Sequence, residues 1–170
     1  MRGRKSLIGC DIAVQLKPTL AFLVGPFDDQ VGAGSHLCMN PKAQVEHMMT
    51  EMSHGRPKAF FNAMADDVAW RWMGVHQWSR TFASKQAIID TLFGGSSESL
   101  PSSSQILVRA IHGDGDVVVV EHSGQNELPG GARYDNNYCW VLRFEGGAIK
   151  EVREYMDTQL VTETFGADQG

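Results

Sequence analysis

The stretch ARYDNNYCWVLRFEGGAIKEVREYM, residues 132–156, decides the fold. Its two runs, Ala132 to Phe144 and Ala148 to Met156, are rich in the aromatic and β-branched residues that suit a pleated, half-buried strand. Between them Glu145-Gly146-Gly147 supplies the glycines of a tight hairpin turn. Side chains of a strand alternate between its two faces, so the first run presents Tyr134, Asn136, Tyr138, Trp140 and Leu142 on one side and Asp135, Asn137, Cys139, Val141 and Arg143 on the other. Both faces mix apolar with polar groups, so both have work to do besides meeting water.

Upstream, Ile106 to Ile111 and Val117 to Gly124 read as two further strands, with a tight turn at Gly113-Asp114-Gly115 and a looser one at Leu128-Pro129-Gly130-Gly131. Before them the period changes. Val45, Met48, Met49 and Met52 fall at i, i+3, i+4 and i+7, the apolar stripe of a helix that starts at Pro41 and stops at Gly55. Pro57 opens a second helix, with Phe60, Phe61 and Met64 inward and its end at Ala65-Asp66-Asp67, and a short strand follows from Val68 to Met73. Ser84 caps a third helix with Ile88, Ile89, Leu92 and Phe93 inward, Gly94-Gly95 stops it, and Ser96 to Ser104 is a loop. Helices followed by a meander of antiparallel strands make an α+β fold. Long hairpin-joined strands curve into a half-open barrel whose concave face the helices must cover, and that geometry makes a pocket.

The chain's 170 residues suit one domain, placed at residues 41–167. Residues 1–40 carry scattered Gly and Pro without a sustained period and form a non-conforming extension, disordered or preceding a true start at Met39. Fifteen Lys and Arg against 20 Asp and Glu give a net charge of −5, with no basic stripe beyond Arg2, Arg4 and Lys5, which disfavours nucleic acid as a partner. Cys10, Cys38 and Cys139 fit neither a disulfide framework nor a zinc site and point to a reducing compartment, the cytoplasm. The run Thr19 to Gly25 is too short to span a membrane, and Leu7-Ile8-Gly9-Cys10 lacks the apolar region that a lipoprotein signal needs. The histidines have no metal-ligand spacing, and Gly32-Ala33-Gly34 and Gly113-Asp114-Gly115 are too short to cradle a phosphate, so neither metal nor cofactor is expected.

Ala65-Asp66-Asp67-Val68, Ser84-Lys85-Gln86-Ala87-Ile88 and, above all, Arg133 to Tyr138 with Arg143 to Ile149 and Glu151 to Asp157 resemble a SnoaL-like domain of the nuclear transport factor 2-like superfamily. The resemblance covers roughly residues 42–165 and implies a cone-shaped, curved antiparallel sheet wrapped around N-terminal helices, a deep apolar pocket and a homodimer formed through the sheet. The superfamily includes ketosteroid isomerases, polyketide cyclases and limonene-epoxide hydrolases, so the fold alone names no reaction. The two isomerase acids fall at Trp72 and Trp140, and steroid isomerisation by that mechanism is excluded. Against the epoxide hydrolases, Glu154 stands at one catalytic aspartate, Glu121 at the arginine and Ser123 at the second aspartate. What remains is a carboxylate pair, Glu121 and Glu154, whose repulsion would raise one pKa, unless one is exposed or paired with Arg153. Against the cyclases, Glu121-His122-Ser123-Gly124 matches a histidine followed two residues later by glycine, and Asp135 or Asn136 falls at their aspartate.

These comparisons give His122, Glu121, Glu154 and Asp135 as candidate acid/base groups, a histidine and a desolvated carboxyl being able to move a proton beside a carbonyl without a cofactor. Trp70, Trp72, Ser123, Asn136, Tyr138, Trp140 and Met156 are candidate pocket residues. The tryptophans either stack on a ring or fill the cone. His76, in Gly74-Val75-His76-Gln77-Trp78 where a lid over the pocket would belong, is a further candidate substrate-binding residue and general base. By alternation Asp135 points away from the pocket unless a bulge turns it, and a bulge near Asn126 to Gly131 would bring His122 inward at the expense of Glu121. Arg153, Tyr155 and Asp157 are expected on the sheet's dimer-forming face. The expected function is binding of a small hydrophobic carbonyl-containing or cyclic metabolite with cofactor-free isomerase- or cyclase-like chemistry. The alternatives are a non-catalytic binding or dimerisation module and epoxide hydration.

Overall fold

The computed structural model describes residues 40–93, 103–128 and 130–166. The extension up to residue 39, the stop at Gly94-Gly95 and the loop up to residue 102 lie outside them, as do the side chains of Leu92 and Phe93. Helix α1 (Pro41–Ser53) begins at Asn40, whose side chain accepts the Ala43 N–H at 2.8 Å, and buries Val45, Met48, Met49 and Met52. It ends where Gly55 takes a φ of 73°, which lets the N–H groups of Gly55 and Arg56 reach the carbonyls of Met52 and Glu51.

Helix α2 (Lys58–Ala63) is shorter than its apolar pattern predicts, because strand β1 (Met64–Trp72) already starts at Met64. The Ala65-Asp66-Asp67 segment is therefore strand. Its register against the neighbouring strand slips between Met64 and Ala69, leaving Asp66 and Asp67 both exposed and disguising the alternation. A short strand β2 (Arg80–Phe82) and helix α3 (Lys85–Phe93) follow; Ser84 Oγ caps the helix by accepting the Ala87 N–H at 3.1 Å.

Strands β3 (Ser103–Asp114), β4 (Val117–Glu127), β5 (Asn137–Glu145) and β6 (Ala148–Met156) form the meander. β3 and β4 run past their expected ends, whereas Ala132 to Asn136 precede β5 as irregular chain, tied to β4 by the bridge of Arg133 with Glu127 and by the backbone hydrogen bonds of Tyr134 N–H to Asn126 and Gly124 N–H to Asn136. The β5–β6 turn has Gly146 and Gly147 at φ 59° and 83°, the left-handed pair a two-residue hairpin requires. The curved, unclosed six-stranded sheet has the order β2-β1-β6-β5-β4-β3. All its pairs are antiparallel except β1 with β6, which is parallel, because the chain returns to β1 only after building the whole meander. Helix α1 packs on β3 and β4, and α3 on β1 and β2, so the sheet's inner face closes over the Met-rich stripe of α1 and Phe60 and Phe61 of α2.

Helix α4 (Thr158–Phe165) was not expected from the sequence. Asp157 caps it by accepting the N–H groups of Gln159 and Leu160 at 3.0 and 3.1 Å, so Asp157 is a helix cap rather than a residue of the sheet face. The fully buried Asn136 side chain pins this cap. Its Nδ2 donates to the Tyr134 hydroxyl and to the Asp157 carbonyl, each at 3.0 Å, while its Oδ1 accepts the Asp157 N–H at 2.9 Å. Asn136→Ala leaves those groups buried and unpaired, and a loss of about 3 kcal/mol in urea denaturation is expected, against less than about 0.5 kcal/mol for the exposed neighbour Asn137→Ala.

Candidate functional site

The strand registers lay a row of side chains across the inner face. Trp72 is the direct partner of Arg80 on one side and of Glu154 on the other, Glu154 in turn faces Trp140, and Trp140 faces Val120. Glu154 thus stands between two indoles. A third, Trp70, lies two residues back along β1 and donates its Nε1–H to Glu154 Oε2 at 2.7 Å. Trp70 and Trp140 meet edge to face at 5.4 Å between ring centroids, and Phe60 stacks on Trp140 at 5.1 Å. Trp72 takes the edge of Phe82 at 5.0 Å and carries the Arg80 guanidinium 5.8 Å from its ring centre.

The Glu154 side chain is buried, with no ion-pair partner among the described residues. Burial in this aromatic cage pushes its pKa from 4.5 up to about 7, and the indoles of Trp70, Trp140 and Trp72 act weakly the other way by favouring the ionised form. Trp140 Nε1 nevertheless completes no hydrogen bond of good geometry, so Trp70 is the one firm donor.

His122 lies in the next row. It pairs with Tyr138, which faces Met156, and its ring stacks on Tyr138 at 5.0 Å and meets Trp140 edge to face at 4.5 Å. Because the β4–β5 register is continuous from Val117 to Ser123, His122 shares the inner face with Tyr138 and needs no bulge to reach it. Both ring nitrogens are buried without a hydrogen-bond partner, and burial lowers the pKa from 6.5 to about 3. The imidazole is neutral at physiological pH.

The same alternation sends Glu121 outward, where it is exposed, so the expected pair of Glu121 with Glu154 does not form. Glu121 instead borders a groove of about 330 Å³ with Arg109, Asn137, Cys139 and Tyr155, to which His122, Tyr138 and Met156 also contribute. Ser123 faces Asn137 and is buried on that side. Asp135 points out of the sheet, where its carboxylate takes Arg133 at 2.7 Å and the Asn126 N–H at 2.9 Å; this ties β4 to the segment before β5. Asn136 spends its polar groups on α4. His76 accepts the Trp78 N–H on Nδ1 at 3.2 Å, and burial lowers its pKa. Its loop is fastened, since Trp78 packs with Tyr134 and Val161 and Gln77 donates to the Gly166 carbonyl at 2.8 Å. Among the candidates the fold brings together Trp70, Trp72, Tyr138, Trp140, His122, Met156 and Glu154, and it separates Glu121, Ser123 and Asp135 from them. Arg80 joins this group unforeseen: three residues of β2 are too few to show a period, and its only sequence signal is the alternation with Phe82.

The family model of the SnoaL-like domain matches residues 45–152. The chain belongs to the SnoaL-like domain family. Its SnoaL-like cone superposes on a nuclear transport factor 2-like protein of Burkholderia thailandensis with a TM-score of 0.64 at 20% identity, over 75% of this chain and 98% of that one. A protein with a cystatin-like fold from Xanthomonas campestris gives 0.58 at 22%, over 75% and 99% of the two chains. An LEH-like epoxide hydrolase of M. tuberculosis gives 0.56 at 17%, over 74% and 90%. These identities speak for the SnoaL-like fold alone. No curated protein sequence matches the chain. No helix among the described residues is long and apolar enough to cross a membrane.

The two buried groups set a pH signature. Glu154 binds its proton more tightly folded than unfolded, so its ionisation costs stability as pH rises from 4.5 to about 7. His122 binds its proton less tightly when folded, so stability is lost as pH falls from 6.5 towards about 3. Between 4.5 and 6.5 the native pair holds one proton on Glu154 and the unfolded pair one on the histidine, and their contributions cancel. Urea denaturation over this window should show Glu154→Gln gaining stability with pH relative to the parent, by about 1.4 kcal/mol per unit, and His122→Phe losing it at the same rate. Parallel pH profiles for parent and variants would contradict the assignment.

Proposed function

We propose that the protein binds a small hydrophobic carbonyl-containing or cyclic metabolite against this inner face and moves a proton on it without a cofactor, Glu154 being the group that takes and returns the proton. The observation that carries this reading is a carboxyl 3% exposed, held by one indole N–H and facing no cation among the described residues, with its pKa pushed to about 7. Such a group populates both forms near neutrality. As carboxylate it removes a proton from the carbon beside a carbonyl to give an enol, and as acid it returns the proton to that carbon or, where the substrate is a β,γ-unsaturated carbonyl and the enol is a dienol, to the γ-carbon, which moves the C=C bond into conjugation with the carbonyl. Neutral His122 serves as an N–H donor to the carbonyl oxygen, since its ring nitrogens have no other hydrogen-bond partner and with a pKa of about 3 it is the neutral form that is present near neutrality.

Epoxide hydration keeps Glu154 but has Glu121 and Ser123 on the opposite face, away from it. In the present reading the homodimer forms through the outer face, where Leu107, Val117 and Tyr155 are exposed, and the protein works in the cytoplasm, a setting in which the free thiol of Cys139 stays reduced. Incubation with a panel of hydrophobic cyclic ketones, with and without a carboxylate substituent, in D₂O should show protein-dependent exchange of protons beside the carbonyl, reduced about 10²-fold or more in Glu154→Gln. Exchange that Glu154→Gln leaves untouched overturns Glu154 as the proton carrier, and no exchange with any ketone makes the protein a binding module.

A further inference from the structure

Arg80 is the one charged group that the cross-sheet row adds to Glu154. Elsewhere Arg56, Arg71, Arg133 and Arg143 each hold a carboxylate on the surface. Arg80 is half-buried, is the cross-strand partner of Trp72 on the inner face, and has no hydrogen-bond or ion-pair partner among the described residues. A guanidinium stays charged at any pH a protein meets, and a ring face satisfies its charge but not its N–H donors. Glu154 is two strands away with the Trp72 indole between them, about 10 Å at the usual strand spacing, too far to pair.

We propose that Arg80 is the anchor for a carboxylate on the ligand, so that the substrates of this site are hydrophobic carboxylic acids whose apolar body lies along Trp72 and whose reacting carbon reaches Glu154. This names the substrate class of the function proposed above, although the anchoring itself does not need Glu154 to be catalytic. A single planar guanidinium, with no second cation beside it among the described residues, matches a monoanion in the two-pronged geometry that carboxylates accept, rather than a phosphate dianion. Desolvation, which already disfavours the bare cation by lowering its pKa, makes an incoming carboxylate the natural partner. Arg80 is in this sense a specificity-determining residue. It selects charge at one end of the ligand while Glu154 handles a proton at the other.

The test uses the full-length protein at neutral pH, with tryptophan fluorescence and calorimetry reading the binding of two matched pairs, 2-naphthoate against 2-naphthamide and decanoate against decanamide. At least one carboxylate is expected to bind about tenfold or more tightly than its neutral amide. Arg80→Gln should bring that ratio to about one without weakening the amide, and Arg80→Lys should restore part of it, which a merely structural arginine would not do. The proposal is overturned if no carboxylate outbinds its amide, the case of no binding included, or if Arg80→Gln keeps the preference. Should the preference hold while the native protein exchanges no ketone protons, the anchor stands and the catalytic reading falls.

Discussion

Everything at the centre of this molecule depends on the hydrogen bond between Trp70 and Glu154. A carboxyl group enclosed by hydrocarbon is expensive to ionise, and one indole N–H at 2.7 Å offsets only part of that cost. The parallel pairing of β1 with β6 brings donor and acceptor together, and the register that sets Trp72 beside Glu154 also sets Trp140 on its other flank. The cage and the acid are therefore one construction. Trp72 and Trp140 are the two walls beside this acid, one on each neighbouring strand.

The sheet divides its labour by alternation. Inward it presents indoles, a phenol, a neutral imidazole and a protonatable carboxyl, all with little water. Outward it presents ion pairs such as Arg71 with Glu151 and Arg143 with Glu145, whose value at an exposed surface is small and whose task is solubility and pairing specificity. Between the two, Asp135 and Asn136 are adjacent residues with opposite duties. One turns outward to Arg133 and the Asn126 backbone, the other inward to Asp157, and together they fix the irregular chain before β5 where no ladder does so.

Much of this was legible in the sequence. The Met stripe of α1, the Gly146-Gly147 turn and the alternation from Tyr134 to Leu142 all rest on local periodicity, and the burial of those residues follows it. Facing was harder to read. Whether Glu121 or His122 looks inward is a matter of which residue pairs with Tyr138, a long-range fact that neither strand carries by itself. Helix α4 escaped because its eight residues bury Val161 as their only fully enclosed side chain, although Asp157 followed by Leu160 and Val161 was a capping signal available to be read. Strand β2 and its Arg80 escaped because three residues make no pattern. The Asp66-Asp67 pair misled because a register slip puts both outward, which resembles a helix terminus more than a strand.

The parallel closure of β1 on β6 also has a consequence in time. Trp70 and Glu154 are separated by 84 residues, and the pairs that join their two strands, such as Trp72 with Glu154, are nearly as far apart along the chain. Contacts so distant along the chain pay their loop-closure entropy before any packing rewards it, and topologies dominated by them fold slowly. On the ribosome, β1 can meet β2 and the helices early, but its second edge and its tryptophans' contact with Glu154 must wait for the last strand to be made. The acid is consequently the last part of the inner face to be enclosed, and a nascent chain lacking β6 has neither the charge to be buried nor the partner that completes the edge of β1.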